Sequence, residues 1–92
     1  GHGTHVAGTA VGNAVNIARS FANGTQLGYQ IRGVAPRANL ITYKACEDDG
    51  CASSWTLAAL NQAVIDGVDV INYSIGGGNV SPWSSSGSLA ML

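Results

Sequence analysis

The stretch Asp66-Gly67-Val68-Asp69-Val70-Ile71-Asn72-Tyr73-Ser74-Ile75 constrains this chain more than any other. A helical pattern stops at Asp66-Gly67, and residues 68–75 follow at once with nearly continuous apolar and β-branched character, as in a strand covered on both faces. Upstream of the break, Leu57, Leu60 and Val64 recur at helical spacing beside Ala58, Ala59 and Ala63, and Ser53 or Ser54 is a suitable N-cap. Further upstream, Asn39-Leu40-Ile41-Thr42-Tyr43-Lys44-Ala45 has the composition of a strand, closed by Glu47-Asp48-Asp49-Gly50. Strand, helix, strand predicts a parallel pair joined by a right-handed crossover, hence an α/β class. Two such strands and two helices cannot cover both faces of a sheet, so the pattern calls for more chain than 92 residues.

Composition narrows the partners. Charged residues make up 10% of the chain, against roughly 25% in an average soluble domain, and 46% are apolar, which argues against disorder. Four basic against five acidic residues leave a net charge of −1, with no basic stripe for nucleic acid or an anionic membrane surface. No apolar run approaches the ~20 residues that span a bilayer. The chain opens on Gly1 rather than Met and reads as a piece of something longer, so the lack of a leader pattern says nothing about secretion. Glycine is abundant, 13 residues or about twice the average share, and it stands at the edges of apolar segments rather than in a linker or repeat.

The opening residues His2-Gly3-Thr4-His5-Val6-Ala7-Gly8-Thr9-Ala10-Val11 read as a buried helix ended by Gly12-Asn13, with Gly3 and Gly8 retained for close packing or function. Residues 14–32 read as a surface loop in which Asn23-Gly24-Thr25 is both a turn signal and a glycosylation acceptor pattern for a eukaryotic secretory route. Gly33 and Pro36 break regularity, and the Ser-rich tail leads to a short helix at Leu89-Ala90-Met91-Leu92.

His2 stands at the positive end of the first helix, where a neutral imidazole can accept a proton, with glycines on either side giving neighbouring groups access to its ring. The plainer reading is a packed histidine. His5 completes a His-x-x-His pair, but zinc needs three or four ligands and no third His or Cys is near in sequence. Ser74-Ile75-Gly76-Gly77-Gly78 follows the second strand, where α/β sheets place ligand crevices and where exposed backbone can pair with an extended peptide. Neither phosphate-binding glycine motif can be written through these residues, so a nucleotide-binding domain is a poor competitor. Cys46 and Cys51 either close a small disulfide loop or remain two thiols, and their spacing does not choose.

Together, Gly1-His2-Gly3-Thr4-His5-Val6-Ala7-Gly8-Thr9, Gly33-Val34-Ala35-Pro36-Arg37-Ala38 and Gly67-Val68-Asp69-Val70-Ile71-Asn72-Tyr73-Ser74-Ile75-Gly76-Gly77 closely resemble the subtilisin-like serine proteases, or subtilases, in three ordered motifs spanning the whole chain. The stretches around residues 14–32 and 44–54 are most similar to the large plant-type subtilases and their bacterial relatives. The resemblance implies a mostly parallel sheet with helices on both faces, in three layers, of which residues 1–92 form the central part of the catalytic domain, incomplete at both ends. It also implies a serine endopeptidase acting on polypeptides. His2 would be the triad histidine and His5 structural. Subtilisin's triad runs Asp, His, Ser along the chain, which puts the Asp before Gly1 and the Ser after Leu92, so the isolated segment would be inactive.

By the same resemblance Ser74, Ile75 and Gly76 would pair with substrate and wall its primary pocket, and Gly50 with Cys51 would flank it on the other side. No cofactor is implied. The calcium loop of compact subtilisins is not reproduced in residues 14–32, so calcium belongs to the longer parent if anywhere. Secretion and a pro-segment in the precursor are implied, and with them a Cys46-Cys51 disulfide. The alternative is a subtilase-like pseudoenzyme that binds peptides without cleaving them.

Overall fold

The computed structural model describes residues 1–16, 22–77 and 81–91, and divides into two compact units, Gly1–Ile41 and Thr42–Leu92. Among the described residues the regular structure consists of three helices: α1 (His2–Val11), α2 (Ser53–Asp66) and α3 (Ser86–Ala90).

In the first unit α1 starts after Gly1, whose carbonyl accepts from the His5 N–H at 3.2 Å. No side chain caps this start, and Thr9 Oγ1 donates back to the His5 carbonyl at 3.0 Å. The helix is present where the sequence places it, but it is not buried: none of its residues is fully covered, and only Val6, Ala7, Ala10 and Val11 are half-buried. Open space surrounds the positions where Cβ atoms of Gly3 and Gly8 would stand, so close packing among the described residues does not explain those glycines.

Close approach occurs instead at the other end of α1. A helix leaves its last carbonyls without intrahelical partners. Here the Gly33, Val34 and Ala35 amides donate to the carbonyls of Gly12, Thr9 and Ala10 at 2.8, 3.0 and 2.8 Å, so one short segment satisfies that end. Gly33 is buried, and a Cβ on it would collide with the backbone nitrogen of Gly12 and, at 2.7 and 2.8 Å, with the nitrogen and carbonyl carbon of Val11. Only glycine lets the two backbones meet this closely. An isolated antiparallel bridge, Val15 to Ile31, links the two ends of the intervening loop.

In the second unit α2 begins at Ser53, after Ala52, so neither Ser53 nor Ser54 is the N-cap; Thr56 Oγ1 donates to the Ser53 carbonyl at 2.9 Å within the first turn. The buried stripe is Thr56, Leu60 and Ala63, one position off the apolar spacing of the sequence, while Val64 is 70% exposed. Gly67 ends the helix in the left-handed region (φ 70°, ψ 38°), with its N–H on the Val64 carbonyl at 3.1 Å and the Val68 N–H on the Ala63 carbonyl at 3.3 Å. This double closure is the Schellman arrangement, which glycine favours because a Cβ is strained there. Gly67→Ala is expected to cost about 1 kcal/mol in urea unfolding. α3 begins earlier than the sequence predicts, because Ser85 Oγ accepts from the Ser88 N–H at 3.4 Å and caps it.

The expected α/β architecture, a mostly parallel sheet with helices on both faces in three layers, is not present. Among the described residues there is no strand ladder, only isolated bridges, and residues 39–45 and 68–75 run as irregular chain. Strand backbone needs a neighbour for its N–H and C=O groups, and a parallel pair needs cover on both faces. In this unit α3 packs against α2, and Val68 and Ile71 line a hollow of about 370 Å³ with Leu60 and Val64 of α2 and Ala90 of α3. Val68 and Ile71 thus face helix surface rather than a neighbouring strand, while Val70 is left 84% exposed.

Candidate functional site

The residues singled out in the sequence fall in both units. His2 is in the first, at the first position of α1, exposed, with Gly1 and Gly3 beside it. His5, one turn on, is also exposed. The far end of the same helix is the one anchored by Gly33, Val34 and Ala35. Among the described residues no group of three or more His, Cys, Asp or Glu stands together in a way that could hold a metal ion.

Gly50, Ser74, Ile75 and Gly76 belong to the second unit. Glu47 and Gly50 exchange both backbone hydrogen bonds, at 2.8 and 3.2 Å, making a tight turn in which Gly50 has φ +139°. Cys46 and Cys51, flanking that pair, are joined by a disulfide with Cα atoms 4.1 Å apart. Lys44 Nζ donates to Glu47 Oε2 at 2.9 Å, an exposed pair worth little by itself. Gly50 and Cys51 lead into α2 and share a shallow hollow of about 300 Å³ with Asp49, Ala52 and Trp55. Trp55, 48% exposed, gives that hollow an aromatic wall, and Asp49 gives it a carboxylate. Neither was marked by a motif; the signal available was a large aromatic in the first turn of a helix immediately after the Cys51 turn.

Residues 74–76 lie in irregular chain, with Ser74 and Gly76 exposed and Ile75 half-buried. Asn72 Nδ2 donates to Ser74 Oγ at 3.0 Å. Ser74, Ile75 and Gly76 do not line the hollow at Gly50. Gly78 lies outside the described residues.

One titrating pair sits at the C-terminal end of α2. Tyr43 Oη donates to Asp66 Oδ2 at 2.5 Å, and Gln62 Nε2 donates to Asp66 Oδ1 at 2.9 Å. The Tyr43 hydroxyl, and secondarily Gln62, hold the Asp66 carboxyl below its ordinary range, while the same hydrogen bond, with desolvation and the carboxylate charge behind it, raises the Tyr43 phenol. A lowered folded-state carboxyl pKa means a contribution present above the ordinary carboxyl range and lost as pH falls through the lowered value. The raised phenol contributes below its ordinary range, and that part is lost as pH rises through the raised value. Tyr43→Phe is expected to move the Asp66 titration upward in an NMR pH series; an unmoved titration would contradict the bond.

Comparison with known proteins gives these features a lineage. The model of the subtilase family matches residues 1–91. Subtilisin-like protease SBT4.12 of Arabidopsis thaliana is 46% identical over 78 residues, which is 83% of this chain and 10% of that protein. Subtilisin-like protease SBT1.6 of the same plant is 49% identical over 82 residues, 86% of this chain and 10% of its own. Subtilisin-like protease SBT1.3 is 48% identical over 86 residues, 91% of this chain and again 10% of its own. These relatives define a class, the serine proteases of peptidase type S8. This chain belongs to the subtilase family. It spans about a tenth of the length of the curated relatives it matches.

Proposed function

We propose that this chain is the central part of the catalytic domain of a secreted serine endopeptidase, with His2 as the general base of a Ser-His-Asp triad. The observation that carries the reading is the family match from residue 1 to 91, which takes in the Gly1-His2-Gly3-Thr4-His5 motif at the start of α1. The matched segment is 10% of that relative's length, so the relatives hold far more chain than this segment, enough to supply the Asp and the Ser.

The chemistry assigns His2 a proton. Its imidazole takes the hydroxyl proton of a serine as that oxygen attacks a peptide carbonyl, and then gives it to the departing amine. An exposed histidine on the first turn of a short helix, flanked by glycines, leaves room for both partners. Ser74, Ile75 and Gly76 offer backbone N–H and C=O groups to an extended polypeptide, which would bind by main-chain pairing and keep broad tolerance of side chains. Gly50 and Cys51, with the Trp55 wall behind them, flank the substrate on its other side. Secretion, and a pro-segment in the precursor, complete the proposal, in keeping with the disulfide at Cys46 and Cys51.

The full-length protein is expected to hydrolyse a fluorogenic peptide, and the 92-residue chain alone to show no hydrolysis. Hydrolysis by the isolated chain that disappears in His2→Ala would contradict the division of the triad proposed here. A folded, processed full-length protein that binds the peptide and leaves it intact would make the chain part of a peptide-binding pseudoenzyme.

A further inference from the structure

We propose that Asn23 is an acceptor site for an N-linked glycan. The proposal presupposes entry into a eukaryotic secretory route and is otherwise independent of the protease reading. Asn23-Gly24-Thr25 satisfies the acceptor pattern, and the structure adds three facts that the pattern does not contain. All three residues are exposed, so a bulky saccharide meets no packed surface at this point. Asn23 Oδ1 accepts the Thr25 N–H at 3.0 Å, an Asx turn. Gly24 has φ +66°, a left-handed conformation that glycine adopts at little cost. The bond spans two residues, so the turn is available to a nascent chain before any tertiary structure forms.

The turn also prepares the nucleophile. A hydrogen bond donated to Oδ1 draws electron density from the amide and makes the Nδ2 protons more acidic. Among the described residues Asn23 Nδ2 donates no hydrogen bond. In the transfer, Nδ2 forms a bond to the anomeric carbon of a lipid-pyrophosphate-linked oligosaccharide while the bond from that carbon to the pyrophosphate oxygen breaks. The Nδ2 proton passes to a base of the transferase, and the lipid pyrophosphate departs.

Two further acceptor patterns provide an internal contrast. Asn72-Tyr73-Ser74 is spoiled locally, because Asn72 Nδ2 donates to Ser74 Oγ at 3.0 Å and so engages both groups the transferase must reach. Asn79-Val80-Ser81 begins outside the described residues.

The test is expression of the full-length protein behind a heterologous signal peptide in a eukaryotic host. Lumenal and secreted protein are pooled, so that a folding defect cannot hide the product. The tryptic peptide of residues 20–32 is then read by mass spectrometry before and after peptide-N-glycosidase. It is expected to carry hexosamine-containing glycan, and enzymatic release is expected to leave aspartate at position 23. Thr25→Ala should abolish the modified peptide and Thr25→Ser should keep it, while the peptide containing Asn72 should show no glycan at that residue. An unmodified 20–32 peptide, in cells whose own glycoproteins are occupied, would overturn the proposal. So would a glycan that persists in Thr25→Ala.

Discussion

Gly33→Ala is expected to release the C-terminal end of α1. The added methyl would meet the backbone of Val11 and Gly12, not a side chain that can rotate away, so relief requires the segment of residues 33–35 to withdraw from the helix. Overpacking a core position typically costs about 1–3 kcal/mol, and a backbone-on-backbone collision belongs at the upper end, about 3 kcal/mol. Withdrawal also removes the three amide-to-carbonyl bonds from Gly33, Val34 and Ala35, each worth about 1 kcal/mol net. Amide hydrogen exchange reads this directly: protection at Val34 and Ala35 should collapse, with fraying running back toward Thr9. Gly28→Ala is the control, since a Cβ there meets nothing within 4 Å. Unchanged protection in Gly33→Ala would show that the close approach is not a constraint. The functional consequence follows along the helix, because the anchored end of α1 is what holds its other end, and so His2, in a defined direction.

His2→Ala in the full-length protein is expected to have the largest effect of all, on rate rather than stability. In subtilisin, the reference member of this family, removal of the triad histidine alone lowers kcat by about a million-fold, and a loss of that order is the expected result here. Alanine is a good helix former and His2 is exposed, so the substitution leaves α1 intact. A transition-state group should therefore show its signature in steady-state kinetics, with kcat lost and KM little changed. His5→Ala, one turn on and also exposed, should change kcat only slightly. A small effect from His2→Ala, or equal effects from the two substitutions, would remove His2 from the role of general base.

The parts of this molecule legible in its sequence are those set by short-range physics. The helices around His2 and Leu60 follow from spacing and from their glycine stops, and the Gly67 closure follows from a single left-handed position. The Glu47–Gly50 turn likewise needs only its own four residues. The errors lie where the outcome depends on what stands opposite. Residues 39–45 and 68–75 have strand composition, but composition does not supply a neighbouring strand, and here Val68 and Ile71 face α2 and α3 instead. The burial of Thr56 in place of a leucine is set by how α2 sits in its unit, a rotation that apolar spacing alone could not fix. Gly33 reads in sequence as a break in regularity. Its purpose, close contact with backbone some twenty residues earlier, leaves no local mark. His2 is singled out by its motif alone, whereas the grouping of Trp55 and Asp49 with Gly50 depends on how the turn and α2 sit together.

The central claim is that His2 activates a serine. The most direct test is reaction of the full-length protein with a fluorophosphonate probe, which acylates an activated serine hydroxyl and marks the protein irreversibly. Strong labelling of the native protein that collapses in a folded His2→Ala variant is the result this account predicts. Labelling that is absent from the native, processed protein, or that is undiminished in the variant, would contradict it.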